Sequence, residues 1–110
     1  MDLDARLADI ERRYDELTAG MADAAATSDP ERIRRLGKDL AELEEIVVPY
    51  RAYRRARAEA DEARALTSAE ADGEMAAFLR AEADAAEARV EALRGTLEDL
   101  LVPKDPNDEK

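Results

Sequence analysis

Leu3, Leu7, Ile10, Tyr14, Leu17 and Met21 recur at alternating steps of four and three, with polar or small residues between them. On an α-helix that spacing draws one apolar stripe along one face, close to a heptad seam. A second stripe runs Ile33, Leu36, Leu40, Leu43, Val47 and Tyr50, then continues through Tyr53, Ala56, Ala60, Ala63 and Leu66. A third holds Met75, Leu79, Ala83 or Ala86, Val90, Leu93, Leu97 and Leu100. The pattern predicts three helices, over roughly 2–22, 30–66 and 73–102.

The breaks between stripes carry their own signals. Gly20 weakens the first helix near its end, and the small-residue run that follows places its stop between Ala19 and Ala26. In "TSDPERI" the residue before proline is pushed out of the α region. Asp29 is therefore expected to cap, with Pro30 at the first helical position and Glu31 favoured by the helix dipole. Pro49 removes one backbone hydrogen bond from the second helix and should kink it. "LTSAEADGEM" supplies Thr67, Ser68, Asp72 and Gly73 as cap and turn residues before the third helix.

The expected fold is all-α: a three-helix, antiparallel, coiled-coil-like bundle with an irregular C-terminal tail. Two long helices pair, and the shorter N-terminal one lies against one end. Alanine faces alanine in the middle of the long pair. Such layers bring backbones close but bury little area, so the expected stability is marginal. One helical domain over 1–102 and a polar junction over 103–110, leading to a further domain, account for the whole chain.

Composition narrows the chemistry. Charged residues reach 41% and aromatics only 4%, as in long helices. There is no cysteine and no histidine, which removes disulfides, thiolate metal sites and the usual general base. Glu42, Glu44 and Glu45 do not share one helical face, and "DPNDE" lacks the glycine of a calcium loop. No metal, cofactor or catalytic residue is expected, and the chain is not read as an enzyme. No run approaches the roughly 20 apolar residues of a membrane span, and no secretory signal opens the sequence. A cytoplasmic, non-membrane protein is expected.

The net charge of −11 is unevenly spread: seven acids against three bases over 1–28, nine of each over 29–66, and twelve against five over 67–110. Free DNA is an unsuitable partner for so acidic a chain. The neutral middle holds "YRAYRRAR", where Tyr50, Arg51, Tyr53, Arg54, Arg55 and Arg57 combine cations with rings. Arginine and aromatic side chains grip RNA phosphates and stack on exposed bases. On the competing reading the tyrosines complete the seam, while the arginines pair with acids one turn on, Arg55 with Glu59 and Arg57 with Asp61. Arg32, Arg34, Arg35 and Lys38 form a second, weaker cluster.

The tail "LLVPKDPNDEK" closely resembles the junction at which the N-terminal helical domain of bacterial peptide chain release factor 1 hands over to the rest of that protein. Pro103, Lys104, Asp105, Pro106, Asn107, Asp108 and Glu109 match the family's junction motif throughout. The long second helix, with its central aromatic pair, and "ADGEMAAFLRAEADAA" are similar to the family's second and third helices. The resemblance implies an accessory domain of a class I release factor that acts at UAA and UAG. It implies contact with the large-subunit stalk base of the ribosome, near ribosomal protein L11 and its rRNA. The family's decoding Pro-x-Thr loop and its Gly-Gly-Gln loop do not occur in these residues. A different expectation rests on the seams alone. A stand-alone coiled-coil adaptor or chaperone-like arm would leave a seam exposed and self-associate.

Overall fold

Three helices and no strand make up the computed structural model, which describes residues 2–102: α1 (Leu3–Ala26), α2 (Pro30–Ala69) and α3 (Gly73–Leu101). The chain is all-α, as the stripes predict. The junction motif Pro103–Glu109 lies outside the described residues.

Each helix starts on an aspartate. Asp2 and Asp72 accept backbone N–H bonds from Asp4 and Glu74 at 3.1 and 3.0 Å. Asp29 accepts from the N–H of Arg32 at 3.2 Å, directly ahead of Pro30. These bonds satisfy N–H groups that a helix's first turn leaves without intrahelical partners.

α1 runs on to Ala26, the far edge of the expected window for its stop and four residues past the rough bound of 22. Alanine is the best helix former, so the run "ADAAA" prolongs the helix, and Ala24 is fully buried. The helix then closes on a Schellman motif. The N–H of Ser28 bonds the Ala25 carbonyl at 3.2 Å and that of Asp29 bonds the Ala24 carbonyl at 3.1 Å. Ser28 takes the left-handed conformation this turn requires, φ 54°. Serine's Cβ is disfavoured there, whereas glycine is not. Ser28→Gly is therefore expected to raise unfolding stability by about 0.5–1 kcal/mol, read from the urea midpoint.

α2 spans 40 residues, about 60 Å at ~1.5 Å per residue. Pro49 lies inside it and does not end it. By its contacts the chain divides into two units, Met1–Tyr50 and Arg51–Lys110, whose boundary falls one residue past Pro49.

The first unit pairs α1 with the front of α2. Tyr14 Oη donates to Glu44 at 3.2 Å, Gly20 faces Leu36, and Arg32 binds Asp23 at 2.7 Å. Partner numbers on α2 fall as those on α1 rise, so the pairing is antiparallel. Leu7, Ala24, Val47 and Tyr50 are buried here, while most of the remaining stripe residues are only half-buried.

The second unit pairs the back of α2 with α3 in the same antiparallel sense. Tyr53 meets Arg94, Glu59 meets Arg89, and Arg64 meets both Asp84 and Glu87. Its core is the expected alanine layer, with Ala56, Ala60, Ala83 and Ala86 buried, joined by Tyr53 and Leu97. Both candidates for the third stripe's middle position, Ala83 and Ala86, therefore face inward. Leu66, Met75 and Leu100, placed on the stripes by spacing, are instead exposed. A stripe read at 3.5 residues per turn drifts around a straight helix of 3.6, and its outermost members turn away first.

Candidate functional site

Four arginines and no acid stand between Arg51 and Arg57, in the opening turns of the second unit. Helical spacing decides what each does. Tyr53, Ala56 and Ala60 point into the seam against α3. Arg51, Arg54 and Arg55, related by steps of three and four, share the face that points away from it. All three are exposed.

The tyrosines have a different fate. Tyr50 is 7% exposed and Tyr53 2%, so their rings belong to the core and not to a platform for stacking bases. The phenol of Tyr53 still reaches the edge of the seam, where Arg94 donates to it at 3.2 Å. Arg57 lies over the Tyr53 ring, 5.4 Å from its centroid, in a cation–π contact. Glu59, the acid expected to pair with Arg55, accepts instead from Arg89 of α3 at 3.1 Å. Of the six residues singled out by sequence, four thus remain at the surface, and three form one ridge.

Three ion pairs between α2 and α3, two of them on Arg64, went unread in the sequence because they need the register of one helix against the other. Arg64 grips both carboxylate oxygens of Glu87, at 2.6 and 3.1 Å, and Asp84 at 2.9 Å. Those hydrogen bonds, Glu87 first, hold its guanidinium still more firmly protonated than arginine ordinarily is. Arg89 and Glu59 bridge the opposite flank of the same hairpin. There a shallow groove of about 260 Å³ opens, lined by Ala52, Arg55, Ala56, Glu59, Arg89 and Leu93. The only signal in the sequence was a charge at positions flanking the seam.

Among the described residues no group of three or more His, Cys, Asp or Glu side chains is placed to hold a metal ion. No helix among them is long and apolar enough to cross a membrane. What the geometry offers is a strip of fixed positive charge on a rigid helix.

Comparison with known proteins extends over the same residues. The PCRF domain pattern matches residues 10–110. The chain belongs to the PCRF domain family. Peptide chain release factor 1 of Brevibacillus brevis is 40% identical to this PCRF domain over 105 residues, covering 96% of the chain and 29% of that protein. The release factor 1 of Desulforudis audaxviator is 41% identical over 106 residues, 96% of this chain and 30% of its own length. That of a Geobacillus species is 39% identical over 105 residues, again 96% of the chain and 29% of the relative. The PCRF domain described here thus spans about three-tenths of the curated relatives it matches. No solved structure matches it.

Proposed function

We propose that this PCRF domain is the ribosome-docking front of a class I peptide chain release factor acting at UAA and UAG codons in the cytoplasm. Its role is positional. It contacts the large-subunit stalk base, ribosomal protein L11 and the adjoining rRNA, while decoding and ester hydrolysis belong to other parts of such a factor. The family match and the release factor 1 relatives support the class of protein.

The observation that carries the contact is the ridge of Arg51, Arg54 and Arg55 on a chain of net charge −11. An acidic domain is repelled by RNA except where cations are concentrated, and here three share one exposed face. Guanidinium forks suit phosphate oxygens, and a rigid helix holds them at fixed spacing.

Reversing the ridge with Arg51→Glu, Arg54→Glu and Arg55→Glu in the intact protein is expected to weaken ribosome binding at least about tenfold and to flatten its salt dependence. Co-sedimentation with purified ribosomes at several salt concentrations measures both. Unchanged affinity and slope would remove the ridge from the interface.

A further inference from the structure

On the Glu59–Arg89 flank of the second unit, the groove brings together a floor, a cation and an acceptor. Ala52 and Ala56 stand one turn apart on α2 and leave the floor flat, and Leu93 of α3 lines it from the other helix. Arg55 and Glu59 are also one turn apart, and on α2 alone they would neutralise each other. Across the seam Arg89 engages Glu59 Oε1 at 3.1 Å instead. Two groups at the rim are thereby left over. Among the described residues Arg55 has no acid partner, and Glu59 keeps Oε2 as an acceptor without a donor.

These features select one ligand chemistry. The volume of about 260 Å³ falls below the roughly 300–1,000 Å³ of pockets that enclose a drug-sized molecule, so a single ring system fills it. A flat ring suits the two alanines and Leu93, and a fixed guanidinium such as that of Arg89 is a plane on which bases stack. The Arg55 fork matches a phosphate on the same ligand. Oε2 of Glu59 matches an amino group on the ring. A bare anion would leave the floor and the acceptor unused, and a carboxylate seated on the floor would meet the Glu59 charge.

We propose that this groove binds one nucleotide whose base carries an exocyclic amino group, with its phosphate on Arg55. The source is a free nucleotide or one unpaired residue of an RNA strand. The site stands on the groove itself, whether or not the domain docks on ribosomes.

Cytidine and uridine monophosphate test it, because one ring carries an amino group where the other carries a carbonyl. Each is titrated into isotope-labelled protein while the amide resonances of Ala52, Ala56, Glu59 and Leu93 are followed by nuclear magnetic resonance. Cytidine monophosphate is expected to shift them saturably and to bind about fivefold tighter than uridine monophosphate. Arg55→Ala is expected to weaken binding about tenfold, and Ala52→Leu, which fills the floor, to abolish it. Glu59→Gln keeps a partner for Arg89 but can donate as well as accept, so the preference for cytidine should vanish. Equal affinity for the two nucleotides, or for inorganic phosphate alone, overturns the proposal. Shifts confined to other residues, or no shifts, overturn it too. An oligocytidylate that binds at least about tenfold tighter than the mononucleotide assigns the site to a strand, whose neighbouring phosphates meet Arg51 and Arg54. No such gain assigns it to the free nucleotide.

Discussion

Leu97→Ala is expected to lower the stability of the chain by about 2–5 kcal/mol, the range for a fully buried leucine whose cavity cannot close. Leu97 is 0% exposed and belongs, with Leu7 and Val47, to the largest side chains wholly removed from water. It stands one turn past Arg94, the residue that reaches Tyr53, and anchors the seam of the second unit where α3 nears its end. Its neighbours along the stripe of α3 are Leu93, which is half-buried, and Leu100, which is exposed, so Leu97 is the one wholly buried side chain of that stretch. A domain of this size is held by only about 5–15 kcal/mol in total, so one substitution removes a large part of the margin. Thermal melting followed by circular dichroism should show a fall of roughly 10 °C or more. A fall of only a degree or two would mean that α3 does not close on α2 as described.

Pro49→Ala works in the other direction. A proline in a helix interior costs about 3 kcal/mol, because it removes a backbone donor and its ring crowds the preceding turn. Pro49 has twenty helical residues beyond it, so α2 bears this cost in full. Alanine restores the bond to the Glu45 carbonyl and leaves the flanking apolar residues in place. The half-buried pyrrolidine gives back some packing, which reduces the gain. A net rise of about 1–3 kcal/mol in urea denaturation is expected. No gain, or a loss, would show that the fold depends on the bend that a proline imposes, at the point where one unit gives way to the next.

The fold was legible wherever a local mechanism dictated it. The acid before Pro30 had no comfortable helical conformation, so Asp29 announced a cap, and the three stripes announced three helices. What local pattern could not supply was the point at which a helix turns its edge residues outward. Leu66 and Met75 satisfy the spacing rule as well as Ala60 or Ala83 do, yet only the register of α2 against α3 leaves the first pair in water. Ser28 was equally silent. A left-handed residue is usually signalled by glycine, and a serine there gives no hint.

The site was half legible for the same reason. Arg51 to Arg57 stood out because four like charges without an acid are conspicuous in an acidic chain. Whether Tyr50 and Tyr53 faced RNA or the core depended on which side of α2 met its partners, and burial decides for the core. Glu59 could have served Arg55 on its own helix, but Arg89 lies across the seam within reach, and only the paired structure brings them together.

The alanine layers also shape how the protein responds to temperature. Heat-capacity change on unfolding grows with the apolar area newly wetted, and Ala56, Ala60, Ala83 and Ala86 expose little when the helices part. The curve of stability against temperature is therefore shallow. Such a domain is expected to change little in stability between cold and warm conditions.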